Sequence, residues 1–270
     1  MEFHRLTIDL PNKNSSIFIE PLGDIHIGNK GVNYEKLQER IDAIRKDPLR
    51  RTIIMGDCID NIQAYANGAA DKRWGSGIPN SLDERFQEPV EQVDEFVRMM
   101  LPIKDKILGI MAGNHEYKTI SRKAFEKDMV KPLETKYLGA KCMVHITTKY
   151  KNMEVGDVEI YAMHGSYAGQ QVGGGINQLI LSSADVLADI YLMGHVHDKM
   201  VYPVDCIYHK IKDNTAGKKT RIFALTGTFL ETIVAGVDSY TDRKTRVRNA
   251  KIGTITLEFN SLANRIHGHE

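Results

Sequence analysis

The chain has 270 residues, of which 42% are hydrophobic, enough for a globular core in one large domain or two small ones. Its 36 Lys and Arg side chains nearly balance 35 Asp and Glu side chains, so no bulk attraction to nucleic acid or to an anionic membrane is expected. No stretch approaches the roughly 20 apolar residues of a membrane span, and the first residues lack the apolar core of a signal peptide. Three scattered cysteines are typical of reduced thiols. We therefore expect a cytoplasmic protein without a membrane partner.

The first part of the chain predicts alternating strands and a helix. Alternating apolar residues predict strands over 3–10 and 16–22, joined as a hairpin, although Pro21 weakens the second strand. Apolar residues at helical spacing predict a helix over 34–47. The apolar run 51–55 then completes a βαβ unit.

Residues 61–80 lack a periodic pattern and are rich in Gly and Ala, so we predict a long loop. Loops of this length are uncommon in compact domains unless they are functional or disordered. A flap that faces the substrate and a surface loop pinned by Trp74 both remain open interpretations.

The remainder of the chain predicts three helices and a strand-rich second half. Helices are expected over about 90–101, 121–137 and 176–188, with Pro132 able to break the second. Strands are expected over 142–147, 158–163, 189–193, 201–211, 221–225 and 251–259. Early βαβ units followed by a mainly β half predict an α/β fold, a four-layer αββα sandwich in which two packed mixed β-sheets are flanked by helices, as a single domain over 1–270.

Five short segments carry Asp, Asn or His, and all but the first follow an apolar run. They are Gly23–Gly28, Gly56–Asp60, Gly113–Glu116, Met163–Gly165 and Gly194–His197. This pattern places possible metal ligands on strand-to-loop turns along one edge of a sheet. The side chains available as ligands are Asp24, His26, Asp57, Asn114, His164, His195 and His197.

That ligand inventory matches what a two-metal hydrolytic centre needs. Two divalent ions about 3.5–4 Å apart can activate a water and stabilise both the attacking and the leaving oxygen of a phosphoryl displacement. They require one shared carboxylate and further oxygen and imidazole ligands. Such donors without thiolates suit Mn, Fe, Zn or Co better than Mg or Ca, and we expect two divalent ions, manganese first, with Fe, Zn, Co and Ni as alternatives.

The joint occurrence of the five segments resembles the calcineurin-like metallophosphoesterase superfamily, whose pattern is Asp-x-His, Gly-Asp-x-x-Asp, Gly-Asn-His-Asp/Glu, a lone His and Gly-His-x-His. The resemblance runs from Gly23 to His197. It implies one metal held by Asp24, His26, Asp57 and His197, and a second held by Asp57, Asn114, His164 and His195. Asp57 would then bridge the two ions.

The resemblance also implies catalytic roles for two residues. His115 would lie near the leaving-group oxygen, where it can donate a proton or stabilise charge. Asp60 would orient His115, since a carboxylate fixes the tautomer of a histidine partner. For Asp60, a helix N-cap after the strand is the alternative interpretation.

The substrate is narrowed by departures within the superfamily. Protein Ser/Thr phosphatases of this superfamily carry Arg directly after Gly-Asp-x-x-Asp, whereas Asn61 stands here. The sequence Asp24–Gly28 is similar to the nuclease subunits of double-strand-break repair complexes and their phage relatives. We therefore predict a phosphodiesterase or nuclease that hydrolyses nucleic-acid phosphodiester bonds through a metal-bridging hydroxide. A cyclic-nucleotide or nucleotide phosphodiesterase, a phosphomonoesterase and, more remotely, a non-catalytic scaffold of the same fold are the alternatives.

Two further segments could contact such a substrate. The glycine-rich run 169–177 opens a helix and is equally compatible with a phosphate cradle and a flexible turn. Near the end of the chain, Tyr240 stands beside a basic run that could grip a nucleic-acid backbone or form a solvated loop. The basic residues of that run are Arg243, Lys244, Arg246 and Arg248.

Overall fold

Two mixed β-sheets pack face to face in this structure, a computed structural model that describes residues 1–61, 81–117, 120–165, 172–237 and 250–270. The six-stranded sheet has the order β1-β5-β6-β7-β9-β8, and the five-stranded sheet has the order β11-β10-β2-β3-β4. The strands are β1 (Glu2–Asp9), β2 (Ser16–Ile19), β3 (Arg50–Ile54), β4 (Ile107–Ile110), β5 (Lys141–Tyr150), β6 (Met153–Met163), β7 (Ile190–Met193), β8 (Lys199–Lys210), β9 (Thr215–Thr226), β10 (Thr256–Asn260) and β11 (Arg265–His269).

Helices cover the outer face of each sheet. They are α1 (Tyr34–Lys46), α2 (Pro89–Met100), α3 (Asn114–Tyr117), α4 (Arg122–Phe125) and α5 (Val172–Asp185), with a 3₁₀ turn at Leu101–Lys106 and a π-helical turn at Glu126–Val130. Among the helices that the structure describes, none combines the length and apolar character needed to cross a membrane.

The hydrophobic core has three parts, which correspond to the spaces between the four layers. Alternating side chains such as Val144, Ile160 and Ile17 fill the space between the sheets. The apolar stripe of α1, including Leu37 and Ile41, packs with α2 against the five-stranded sheet. On the other side, Leu179 of α5 packs against aromatic side chains of the six-stranded sheet. The predicted α/β sandwich is therefore confirmed.

The βαβ unit predicted from the first helix is also present. Strands β2 and β3 are parallel, with Phe18 opposite Arg50, and α1 connects them. Asn33 caps α1 by accepting a hydrogen bond from the Lys36 amide, and Lys46 is its last residue. This unit directs the ends of β2 and β3 toward the same edge of the sheet.

The predicted N-terminal hairpin is wrong. Strand β1 pairs in parallel with β5 in the six-stranded sheet, whereas β2 lies between β10 and β3 in the five-stranded sheet. Ile8 and Ile17 are buried in the same core between the sheets. A hairpin and a crossing between facing sheets bury alternating residues alike, so local patterning does not distinguish them.

Other observed ends of strands and helices differ from the predicted ones, and two of the differences occur at prolines. Strand β2 ends at Ile19, before Pro21, which cannot donate to a ladder. The predicted helix over 121–137 ends at Val130, two residues before Pro132. The final strand β11 was not predicted. The predicted loop over 61–80 lies outside the described residues apart from Asn61.

Candidate metal centre

The first two motif segments lie side by side at the carboxyl ends of β2 and β3. The amide of Asp24 donates to the carbonyl of Gly56 at 2.9 Å, and the amide of His26 donates to the carbonyl of Asp57 at 3.0 Å. Ile27 continues this pairing by donating to Cys58 at 3.0 Å. These backbone bonds hold the two acidic motifs in register, so that their side chains emerge at one edge of the sheet.

The backbone of most candidate ligands is left-handed. Positive φ angles occur at Asp24 (48°), His26 (60°), Asp57 (48°), His195 (65°) and His197 (56°). Non-glycine residues seldom adopt this conformation, and it persists where the surrounding structure over-determines it, which is frequent at functional sites. The turns are therefore shaped to direct these particular side chains.

Three side chains form a first cluster at this edge. The ligand atoms of Asp24, His26 and His197 all lie within 4.8 Å of one another. The Nε2 atoms of His26 and His197 are 3.1 Å apart, and Nε2 of His197 is 3.4 Å from Oδ1 of Asp24. Asp24 is completely buried and His26 almost completely, whereas a quarter of the His197 side chain is exposed.

A second cluster lies beside the first. The ligand atoms of Asp57, His164 and His195 also lie within 4.8 Å of one another. Nε2 of His164 is 3.2 Å from Oδ2 of Asp57 and 3.1 Å from Oδ1 of Asn114. The structure thus brings the seven candidate ligands close together at one edge of the sheet.

The carboxylate of Asp57 connects the two clusters. Its Oδ2 lies 3.2 Å from Nε2 of His164 in the second cluster and 4.0 Å from Nε2 of His26 in the first. Asp57, His26 and His115 form a third group with ligand atoms within 4.8 Å. One oxygen of Asp57 therefore faces histidines of both groups, as a ligand shared by two ions would.

The hydrogen bonds of the imidazole rings show which ring nitrogens remain free to bind a metal ion. Nδ1 of His26 lies 3.0 Å from Oδ1 of Asp60, and Nδ1 of His164 lies 2.8 Å from the carbonyl of Met55. Metal-binding histidines commonly donate one ring N–H to a carboxylate or carbonyl in this way, which leaves the other nitrogen as a lone pair. Among the described residues, the buried Nδ1 of His195 has no hydrogen-bond partner. The free ring nitrogens and the carboxylate oxygens of this site are ligand atoms that fit divalent cations.

Asp60 occupies a different position from the predicted one. Its carboxylate accepts from His26 through Oδ1 and from the side-chain amide of Asn29 through Oδ2, both at 3.0 Å. His115 instead donates from Nδ1 to the backbone carbonyl of Asp60 at 2.8 Å, and Oδ1 is farther away, at 3.4 Å. Asp60 therefore contacts His115 mainly through its backbone, while its carboxylate orients a candidate metal ligand.

Burial and neighbouring charges shift the pKa values of these groups in opposite directions. Burial favours the neutral form of Asp57, but the hydrogen bond and charge of His164 outweigh it and hold the pKa of Asp57 far below the ordinary carboxyl value. Burial likewise opposes protonation of His164, but Asp57 raises the pKa of His164 to about 9. Burial lowers the pKa of His115, but the charges of Asp57 and Asp60 outweigh it and raise that pKa. The centre is thus strongly polarised, with Asp57 ionised.

Sequence reasoning missed Glu116 as a residue of this site. It is completely buried, and its carboxylate accepts hydrogen bonds from the amides of Asp57, Cys58, Ile59 and Gly113. Burial and the neighbouring charge of Asp57 raise the pKa of Glu116 to about 7. The available signal was its place in Gly113–Glu116, but nothing in the local sequence shows that the side chain points inward.

Several predicted contacts fall outside the described residues. These are the loop after Asn61, the first part of the glycine-rich run before Val172, and the basic run with Tyr240. Those predictions stay predictions. The described part of the glycine-rich run forms the first turns of α5.

Comparison with known proteins yields structural similarities at low sequence identity. No protein-family model and no curated protein sequence matches the chain. A metallophosphoesterase from Sphaerobacter thermophilus is 14% identical over 94% of this chain and 87% of its own, with a TM-score of 0.41. A Vps29 double mutant from Entamoeba histolytica is 11% identical over 94% and 97% of the respective chains, with a TM-score of 0.43. A predicted phosphoesterase from Streptococcus pneumoniae is 12% identical over 91% and 84%, with a TM-score of 0.34.

Features of this chain itself support the fold that the sequence predicts. Two packed mixed sheets are present, and the motif segments converge at one edge in two groups joined by Asp57. The chain therefore has the two-sheet α/β sandwich fold that its sequence predicts, with the candidate ligands gathered at one edge.

Proposed function

We propose that this protein is a dinuclear metal-dependent phosphoesterase that hydrolyses phosphodiester bonds of nucleic acids. The observation that carries the proposal is the pair of ligand clusters with the carboxylate of Asp57 between them, its Oδ2 lying 3.2 Å from Nε2 of His164 and 4.0 Å from Nε2 of His26. Asp24, His26 and His197 would complete one ion site with Asp57. Asn114, His164 and His195 would complete the other with the same carboxylate.

When bound, the two ions supply Lewis acidity and an activated water for attack on phosphorus. The protein supplies orientation. The outward Nδ1 hydrogen bonds of His26 and His164 fix each ring so that Nε2 faces the centre. This arrangement leaves little freedom for the ligands to turn away, which favours binding of ions at defined positions.

His115 lies where it could donate a proton beside the candidate metal centre. Its ring stands edge-on to His26, with centroids 4.7 Å apart. Because Nδ1 donates to the carbonyl of Asp60, Nε2 is the nitrogen that can carry a proton to the leaving oxygen of a substrate. This position of His115 supports the proposal of ester hydrolysis over metal binding alone.

The position of Asn61 supports a substrate other than a phosphoprotein. Its side-chain Nδ2 donates to the backbone carbonyl of His115 at 2.9 Å, and its backbone N–H donates to Oε1 of Gln92 at 2.8 Å. This short, mostly buried side chain lacks the reach and charge of the Arg found there in protein phosphatases. Together with the sequence of Asp24–Gly28, this supports a phosphodiester of nucleic acid as substrate.

The test is manganese-supplemented hydrolysis of end-labelled single- and double-stranded DNA, beside bis-p-nitrophenyl phosphate and p-nitrophenyl phosphate. We expect DNA and the model diester to be cleaved, and Asp57→Ala to abolish both activities. Asp205→Ala is a matched control, because Asp205 is an exposed residue of β8 that hydrogen-bonds Thr220.

The outcomes separate the remaining functions. A preference for the monoester would contradict the nuclease proposal and favour a phosphomonoesterase. Hydrolysis of the model diester but not of DNA would favour a small-molecule phosphodiesterase. Tight binding of two ions without any hydrolysis would favour a scaffold.

A further inference from the structure

Glu116 links the two turns that carry Asp57 and the Asn114–His115 pair. Its Oε1 accepts from the amides of Cys58 and Ile59 at 2.6 and 3.2 Å. Its Oε2 accepts from the amides of Asp57 and Gly113 at 3.1 and 2.7 Å. One side chain thereby ties the turn after β3 to the turn after β4, two segments far apart in sequence.

The turn that Glu116 holds is conformationally demanding. Gly56 and Asp57 have φ angles of 89° and 48°. A left-handed backbone is unfavourable for aspartate and needs support from its surroundings. The three successive amides of 57–59 converge on the Glu116 carboxylate, which supplies that support.

The same link determines which oxygen of Asp57 faces the ions. Oδ1 of Asp57 accepts from the amide of His115 at 3.0 Å. It also packs so closely on Gly113 that a Cβ there would lie 2.1 Å from it. Oδ2 is therefore the oxygen that faces His164 and His26. If the two turns shifted, this assignment would change.

We propose that Glu116 is a positioning residue for the dinuclear centre, which sets the orientation of Asp57 without contacting an ion or the substrate. The inference rests on the proposed function, in which Asp57 is the ligand shared by both ions. A carboxylate suits this role because it only accepts hydrogen bonds, whereas a glutamine would turn an NH₂ group toward backbone N–H groups.

The test compares Glu116→Gln with Glu20→Gln. Glu20 is a second completely buried glutamate, and it is paired with Arg50. Metal-free protein is titrated with Mn²⁺ by calorimetry, and amide hydrogen exchange is followed by NMR. We expect Glu116→Gln to weaken Mn²⁺ binding about 10- to 100-fold, as loss of support for a metal ligand does elsewhere. Amides 57–59 and 113 should also exchange faster, whereas Glu20→Gln should bind Mn²⁺ as the wild type does.

Wild-type affinity for two ions in a folded Glu116→Gln variant would overturn the proposal. If that variant does not fold, Glu116→Asp keeps the charge but is one methylene too short to reach both turns. We then expect weaker Mn²⁺ binding in Glu116→Asp, and unchanged binding would also overturn the proposal. Failure of the proposed function would look different, because the wild type would bind two ions and hydrolyse no phosphoester.

Discussion

The Nε2 atoms of His26 and His197 lie 3.1 Å apart, although 171 residues separate them in the chain. Nδ1 of His26 is already engaged by the carboxylate of Asp60. One of these Nε2 atoms can donate a hydrogen bond to the other, and both could instead bind a cation, as the proposed function requires. This relationship underlies the expected response of the protein to metal.

Removal of metal should lower stability, and its return should raise it. A ligand present at 100 times its dissociation constant stabilises the native state by about 2.7 kcal/mol. For a chain of this size, that corresponds to a rise in Tm of about 5–10 °C. Calorimetric scans of chelator-treated protein with and without Mn²⁺ measure the shift. A variant with His26→Ala and His197→Ala should lose most of it, and an unchanged wild-type Tm would contradict the prediction.

Substitution of His115 should separate catalysis from metal binding. Nδ1 of His115 donates to the carbonyl of Asp60, and the residue is not in either of the two four-ligand sets. His115→Ala should therefore retain two ions while kcat falls about 10²- to 10⁴-fold, the range for loss of a general acid. Elemental analysis and initial rates on a model diester measure the two quantities. Loss of an ion in this variant would instead make His115 a metal ligand.

Substitution of Asp60 should act on metal binding more than on turnover. The carboxylate orients His26, whereas His115 uses the backbone carbonyl that Asp60→Ala retains. We expect Asp60→Ala to weaken Mn²⁺ binding about 10- to 100-fold. At saturating Mn²⁺ the fall in kcat should be smaller, and it should come from the lower pKa of His115 once the charge of Asp60 is lost. Asn29→Ala, which removes the bond to Oδ2 of Asp60, should have a smaller effect in the same direction. A large loss of kcat with unchanged affinity would show that the carboxylate serves His115.

Alanine substitutions at Gly113 and Gly173 should have different effects, the first weakening metal binding and the second stabilising the fold. A Cβ at position 113 would lie 2.1 Å from Oδ1 of Asp57, so Gly113→Ala must displace the ligand that both ions share and should weaken binding of both. A Cβ at Gly173, within α5, meets nothing within 4 Å. Gly173→Ala should stabilise the protein by about 0.5–1 kcal/mol, because alanine is the better helix former. Thermal unfolding and Mn²⁺ titration of both variants check the pair.

Much of the fold follows from local patterns. The apolar spacing of α1 and the runs ending at Ile54 and Met193 mark elements whose periodicity survives in the structure. The pairing of β1 and β2 does not follow, because both strands bury alternating residues whichever sheet they join. Strand partners are chosen by contacts distant in sequence, which a local window does not contain.

The amino-acid sequence by itself determined the residue types of the seven candidate ligands and their placement after strands. Tertiary structure alone decided which atoms meet. It placed the carboxylate of Asp60 on His26 and its carbonyl on His115, and it buried Glu116 beneath Asp57. The physical reason is that a strand end specifies where a side chain emerges to within a few ångströms. Hydrogen bonds require atomic positions that only the packing of separate segments defines.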